Sequence, residues 1–488
     1  MRNVTKEIFL NTTVCPTLGW LLRSEEEVEL LSEEARTLGE QFRIEQGLEI
    51  HRRARQLYPD GKLVAPNNKT AMQEETITLM NDPSVNTILE ATFVIDDYIT
   101  KADVLKRKGK GWHMCEVKSS VNDKEEFIDD MAYTTMVFNQ SGYNITGVSL
   151  LLISKDYRLG MSDEELFIEI DHTDEVLARA GEFYAVLFDY VKTITGAPTK
   201  PQPELRRDCK NCPLFGDCIG MDIINHILEI PRLSQPKFEQ LREQNITCIE
   251  DIPDGFPLTE NQSRVRACVI SQQPFIGDQL KDDLLNILWP AFYLDFETVM
   301  TAIPLYPAIA PHTQLPTQYS IHILSDINNI LDHREYLADP SRDCRRDLAE
   351  HLINDLEKSG SIFIYSSFEK TTITKLGQLY PDLTNQLNLL IERIVDLEAI
   401  IKKSYYHPGF HGSTSIKRTL PTLVPDMSYD DLEITEGDSA LGAFAYLAQG
   451  RYSAGNEAET IKRNLLEYCK RDTLAMLKLH QKLYENRV

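Results

Sequence analysis

The chain has 488 residues, 42% of them hydrophobic and 26% charged, with a formal net charge of -24. That length exceeds what one hydrophobic core organises, so two or three domains are expected, and no apolar run or basic-then-apolar opening points to a membrane or the secretory route; the expected compartment is the cytoplasm. Such acidity excludes a passive nucleic-acid coat, which needs Lys and Arg to neutralise phosphate, but not an enzyme whose carboxylates hold divalent cations.

In chain order, the first signal is Gly47-Leu48-Glu49-Ile50-His51, which places a histidine four residues after a glycine in a predicted helix. It continues into the basic patch Arg52-Arg53-Ala54-Arg55. Glu90 precedes a predicted β-hairpin in which Ala102-Asp103-Val104-Leu105 leads through Lys106-Arg107-Lys108-Gly109-Lys110 to Trp112-His113-Met114-Cys115-Glu116-Val117-Lys118. Alternation along a strand puts Glu116 and Lys118 on one face and Val117 on the other, toward a core. With Asp103 on the neighbouring strand, two carboxylates can hold Mg²⁺ or Mn²⁺ beside a lysine that steadies developing negative charge. The competing reading is an exposed hairpin with a cross-strand ion pair. The two basic patches, with Arg52, Arg53, Lys106, Arg107, Lys108 and Lys110, suit either a nucleic-acid contact or a solvated face.

Asp103, Glu116-x-Lys118 and the upstream Gly47-x3-His51 together resemble the RecB-like branch of the PD-(D/E)xK nucleases. The resemblance implies a restriction-endonuclease-like domain with His51, Asp103 and Glu116 as metal ligands and Lys118 as a catalytic group. In that family the helix after the core lysine carries a glutamine near the site; here Thr134, in Asp130-Met131-Ala132-Tyr133-Thr134, takes its place.

The prolines of Gly196-Ala197-Pro198-Thr199-Lys200-Pro201-Gln202-Pro203 mark a linker. Cys209-x2-Cys212-x5-Cys218 follows, a ligand-like cluster in turn-rich sequence. A fourth ligand is required, and Cys15, followed by Pro16, is the candidate. Nine cysteines in a long chain of this type are better read as ligands and buried thiols than as disulfides. One upstream cysteine and three after the nuclease core resemble the iron-sulfur branch of RecB-like nucleases, the AddB and CRISPR-adaptation enzymes. Thiolates suit both zinc and iron-sulfur groups, and with one C-x2-C pair a structural [4Fe-4S] cluster is expected over zinc. Ile230 to Leu258 reads as two short helices around Gln244-Asn245-Ile246-Thr247, either a helix-hairpin-helix element or a spacer.

A further helix over Asp278 to Leu288 precedes the strand Phe292-Tyr293-Leu294-Asp295-Phe296-Glu297-Thr298. Its two acids at i and i+2 share a face, where their repulsion calls for a cation. Near the end, Leu465 to Met476 is an amphipathic helix with Tyr468 and Asp472 four apart on one side. Together these resemble the DnaQ-like DEDD exonucleases of the RNase H fold. The resemblance implies that Asp295, Glu297 and Asp472 bind two metals and that Tyr468 positions the attacking water. For the fourth carboxylate, Glu369 after the strand Ser361-Ile362-Phe363-Ile364-Tyr365 competes with Asp396 in Ile394-Val395-Asp396-Leu397. Tyr405-Tyr406-His407-Pro408 and His411-Gly412-Ser413-Thr414-Ser415-Ile416-Lys417 resemble a prokaryotic domain family of unknown function that follows RecB-like nucleases.

The expected architecture is therefore α/β in three parts: a PD-(D/E)xK domain at 1–220, a helical segment at 221–285, and an RNase H-like exonuclease domain at 286–488. The expected function is metal-dependent phosphodiester hydrolysis of DNA at two sites, with nucleic acid as partner and no membrane. The alternatives are a binding scaffold with degenerate sites and an RNA-trimming exonuclease.

Overall fold

A computed structural model describes residues 2–24, 36–64, 68–221, 223–453 and 455–485. The chain forms two compact units of mixed α/β structure. One comprises the chain up to Glu204 together with Met300–Thr313, and the other Leu205–Val299 and the chain from Gln314 onward.

The first unit has a six-stranded sheet in sequential order: β1 (Lys62–Leu63), β2 (Thr87–Ile95), β3 (Tyr98–Lys108), β4 (Gly111–Lys118), β5 (Ile145–Ile153) and β6 (Phe167–Asp171). Its helices include α1 (Lys6–Val14), α2 (Pro16–Arg23), α3 (Leu38–Gln56), α4 (Lys69–Asn81) and α5 (Glu126–Gln140). β2, β3 and β4 form an antiparallel meander, and Gly109, at φ 63°, supplies the left-handed residue of the tight β3–β4 turn. β4 and β5 are parallel, so the chain must cross over between them, and α5 is that crossover. α5 buries Met131, Ala132 and Met136 with Met114, Val148 and Leu150 of the sheet. α3 covers a second cluster, placing Ile50 and Ala54 with Leu89, Val104, Cys115 and Val117. The segment Met300–Thr313 joins this unit through Ala302, whose backbone N–H donates to Gln46 Oε1 at 2.9 Å.

In the second unit, β8 (Ala291–Val299), β9 (Leu315–Asp326), β10 (Asn329–Leu337), β11 (Ile362–Ile364) and β12 (Ile394–Asp396) form a sheet ordered β10-β9-β8-β11-β12, and β7 (Phe275–Ile276) pairs with β13 (Tyr405–Tyr406). The first three strands of the larger sheet are antiparallel, while β8, β11 and β12 run parallel. The C-terminal helix Asn456–Glu485 is pegged to this sheet by polar side chains. Gln318 Nε2 donates to Leu465 O at 2.7 Å, Ser320 Oγ and His322 Nδ1 meet Thr473 Oγ1 at 2.9 and 2.8 Å, and Tyr293 OH meets His480 Nδ1 at 2.6 Å. The pegs give the buried Gln318, His322 and Tyr293 side chains their hydrogen-bond partners, so another helix register leaves several polar groups unpaired.

Two expectations change. Residues 221–285 pack within the second unit: Phe238, Leu241, Val265 and Leu280 share one core with Leu397, Tyr405 and Leu477, so the segment is no free spacer. Of its two expected short helices, Gln235–Glu243 forms, but the second does not. After Asn245, at φ 56°, the β-branched Ile246 and Thr247 lie outside any helix and lead into a bridge between His226 and Cys248. The next helix begins at Glu260.

Candidate active sites

The register of β3 and β4 sets Val104 opposite Cys115, so Asp103 and Glu116 face each other across the ladder as expected. Asp103 Oδ2 accepts the Val117 backbone N–H at 2.8 Å, and its Oδ1 lies 3.5 Å from His51 Nδ1. Glu90 completes the group. It sits in β2 at φ 61°, where the pairing steps from Leu89–Val104 to Ala91–Ala102. Leu89 packs in the α3 cluster, whereas Ile88 and Ala91 both pack in the α5 cluster. The positive φ thus breaks strict alternation and brings the Glu90 carboxylate beside His51 and Asp103, at a cost of about 1–3 kcal/mol in a non-glycine residue. Ligand atoms of His51, Glu90 and Asp103 all lie within 4.8 Å of one another.

Glu116 is buried against this group and is held by two lysines through one oxygen. Its Oε1 lies 2.7 Å from Lys6 Nζ and 3.1 Å from Lys118 Nζ, and its Oε2 is buried without a partner. Burial alone would push the Glu116 pKa up, but the Lys6 and Lys118 charges outweigh it and hold the group at about 2. At Asp103 burial and then the Glu116 charge outweigh the Val117 N–H and the Lys6 charge and push its pKa well above the carboxylate range. Burial lowers the His51 pKa, keeping the imidazole neutral, as a metal ligand must be. The crowding of Asp103 against Glu116, the His51 nitrogen beside it and the orphan Glu116 oxygen are what a divalent cation would relieve, so the residues fit one.

Thr134 does not stand at this site. Its hydroxyl is in the core, accepting from Thr100 Oγ1 at 3.0 Å, and the α5 residue that reaches Lys118 is Asp130, one turn earlier. Much of the basic patches is engaged within the fold: Arg52 and Arg53 pair with Glu49, Lys106 pairs with Glu169, and Arg107 donates to the carbonyls of Met80, Asp82 and Val85. Lys108 and Lys110 are exposed at the hairpin turn.

The second site lies beyond the ends of the parallel strands. β8 and β11 pair only through Phe292 and Tyr293, so Asp295 and Glu297 project past the carboxyl end of β11, where open α/β sheets bind ligands. The pegged C-terminal helix presents Asp472 to them, and ligand atoms of Asp295, Glu297 and Asp472 lie within 4.8 Å of one another. Burial, then the Asp472 charge, raises the pKa of both Asp295 and Glu297 well above the ordinary range. Asp472 rises to about 6 through burial, partly offset by the hydroxyls of Tyr429 and Tyr468. Tyr429 OH donates to Asp472 Oδ1 at 2.5 Å, a hydrogen bond that no spacing in the sequence announces. The Cys469 thiol donates to Asp295 Oδ2 at 3.8 Å.

Glu369 and Asp396 separate clearly. Asp396 Oδ1 accepts from Ala399 N at 2.9 Å, capping the helix Leu397–Ser404. Glu369 is 2% exposed, its Oε2 has no partner, and burial followed by the Asp396 and Asp472 charges raises its pKa to about 8. It also adds to the charge felt by Asp295 and Glu297. Four crowded carboxyl groups with an orphan oxygen fit divalent cations.

None of Cys15, Cys209, Cys212 and Cys218 is in a disulfide, and all are half-buried. Cys15 falls in the first unit and the triplet in the second. The Cys209 sulfur accepts from Arg206 N at 3.3 Å, and Cys209, Phe215 and Ile219 pack on the second unit's core. The Cys15 sulfur caps α2, accepting from Leu18 N at 3.5 Å. Such N–H donors suit thiolates. Among the described residues the groups compact enough for a single ion are the two carboxylate-bearing ones, not the thiols.

Residues 292–415 match a family described as a domain of unknown function, DUF2779. The matched span carries Asp295, Glu297 and Glu369 but ends before Tyr429, Tyr468 and Asp472. An uncharacterized protein of Mycoplasma genitalium, MG366, is 24% identical over 229 residues, covering 42% of this chain and 33% of that protein. The chain thus spans about a third of the length of the relative it matches. Among the described residues no helix is long and apolar enough to cross a membrane.

Proposed function

We propose that the chain is a metal-dependent nuclease that hydrolyses DNA phosphodiester bonds at two active sites, one in each unit. The observation that carries this reading is the pair of convergent ligand groups, His51–Glu90–Asp103 and Asp295–Glu297–Asp472. Beside each stands a further buried carboxylate, Glu116 by the first and Glu369 by the second, with one oxygen lacking a partner. Support comes also from strand order. The DEDD resemblance implies an Asp-x-Glu strand and a Tyr-x3-Asp helix meeting at one site, and here β8, the central strand of its sheet, carries Asp295 and Glu297 to Asp472 of the C-terminal helix.

Bound divalent cations would lower the pKa of water and offset phosphate charge. At the first site His51, Glu90, Asp103 and Glu116 would hold the ion, and Lys118 stabilises negative charge that develops on the phosphate. At the second, Asp295, Glu297, Glu369 and Asp472 form the ligand set, and the Tyr468 hydroxyl orients the attacking water. Tyr429 fixes the orientation of Asp472 through its short hydrogen bond.

The test is degradation of 5′- and 3′-end-labelled single- and double-stranded DNA and RNA with Mn²⁺, against EDTA. Expected are Mn²⁺-dependent cleavage of DNA and release of 3′-terminal nucleotides. Binding without cleavage in every arm would instead support a scaffold, and cleavage confined to RNA the trimming reading.

The cysteine triplet, with Cys15 as the sequence's candidate for the fourth thiolate, is assigned to a [4Fe-4S] cluster of structural role. Protein purified without oxygen should be brown and contain about four irons per chain. A colourless protein with a single zinc overturns the assignment.

A further inference from the structure

Lys6 belongs to no motif, yet its ammonium is the closest cation to the buried Glu116 carboxylate, at 2.7 Å. Its position is fixed by α1, which is bolted to the first unit at both ends of its first turn. Val4 N donates to Asp97 O, Ile99 N donates to Val4 O, and Tyr133 OH donates to Val4 O at 2.6 Å. Thr5 caps the helix, and Phe9 packs among Tyr98, Tyr133 and Phe183. A lysine on so rigid a mount is held at the site rather than drifting there.

Two ammonium groups share Glu116 Oε1, but they are not equivalent. Lys118 has a second close acceptor in Asp130, whereas Lys6 lies 3.9 Å from the same carboxylate. Lys6 is also the more exposed, at 27% against 20%. If a divalent cation takes the free Oε2, Glu116 has less charge to share, and Lys6 is the ammonium with the weaker remaining tether and the easier route outward. Resting on the nuclease reading of this site, we infer that Lys6 is the phosphate-holding residue of the first site: its ammonium passes from Glu116 Oε1 to a phosphate oxygen of the bound DNA strand. Lys118 stays in place between Glu116 and Asp130. A compact, flexible ammonium suits this exchange between two anions.

The test uses the full chain with the second site silenced by Asp295→Ala. Binding of a fluorescent single-stranded DNA oligonucleotide is measured in Ca²⁺ across a salt series, alongside Mn²⁺-dependent cleavage. For a single strand, each phosphate that the protein no longer neutralises reduces the slope of log K against log salt by about 0.7. Lys6→Met should reduce the slope by that amount and weaken binding, while Lys6→Arg keeps the slope. A parent that binds the DNA with the same slope as Lys6→Met overturns the inference, even where cleavage is lost, since the lysine then serves only to hold Glu116. A parent that fails to bind the DNA at all overturns both this inference and the nuclease reading. A parent that binds but does not cleave counts against the nuclease reading alone, and the slope still decides Lys6.

Discussion

Asp295→Ala and Asp472→Ala should each lower 3′-end trimming on the order of 10³-fold or more, about 4 kcal/mol of barrier, while making the metal-free protein more stable. The two effects share one cause. Asp295, Glu297, Glu369 and Asp472 are crowded and buried, and without cations their mutual repulsion opposes folding. For Glu369 the sign is explicit. Its folded pKa, about 8, exceeds the ordinary 4.5, so the unfolded chain gives up the proton first, and stability falls as pH rises from about 4.5 to about 8, by about 1.4 kcal/mol per pH unit. Removing a carboxylate, or adding Mn²⁺, relieves this. Thermal melts in EDTA should therefore show Asp295→Ala and Glu369→Gln above the parent at pH 8, and Mn²⁺ should raise the parent more than either variant. Activity losses should be non-additive in the Asp295→Ala, Asp472→Ala double variant, because either loss disables the same ligand set. Glu369→Gln should follow Asp295→Ala in trimming, while Asp396→Asn should lose mainly a helix cap. Equal trimming by all these variants and the parent would make the second unit a binding module.

At the first site, Lys118→Ala should reduce cleavage about 10²–10³-fold, measured with the second site silenced, in keeping with the loss of one preorganised electrostatic group. Glu116→Gln should be at least as severe. The stability consequences differ from those at the second site. The strand pattern alone suggests that removing Glu116 relieves its repulsion with Asp103. In the structure two ammonium groups depend on it, so Glu116→Ala leaves Lys6 and Lys118 to share Asp130 and should destabilise the first unit by about 3 kcal/mol. Glu116→Gln, which keeps shape and an acceptor oxygen, separates this cost from chemistry. A Glu116→Gln variant that cleaves at the parental rate would make the first group a structural ion-pair cluster.

The residues legible in the sequence are those tied together by local periodicity. Two-residue alternation places Glu116 with Lys118 and Asp295 with Glu297, and the four-residue helical spacing places Tyr468 with Asp472. Lys6, 110 residues from Glu116, and Tyr429, 43 residues from Asp472, reach their sites only through tertiary packing. Glu90 is visible in the sequence beside the hairpin but is not assigned there as a ligand, because its place at the site depends on a positive φ that breaks the alternation strand reading assumes. Thr134 shows the same limit on a helix, where a shift of one turn exchanges a core hydroxyl for Asp130. The second short helix expected after Gln244-Asn245-Ile246-Thr247 does not form; the β-branched Ile246 and Thr247 disfavour a helical turn and lead into the bridge between His226 and Cys248.

The polar pegs of the C-terminal helix bear on how the protein exchanges its amide hydrogens with solvent. Leu465, Thr473 and His480 are each tied to a buried partner in β8 or β9, so the stretch between them cannot fray by itself without stranding Gln318, His322 or Tyr293. Amides from about Leu465 to His480 should accordingly exchange only through global opening of the unit, whether or not cations are present. The helix that carries Asp472 would thus act as a fixed wall of the second site, and any motion that admits a substrate strand would have to come from elsewhere.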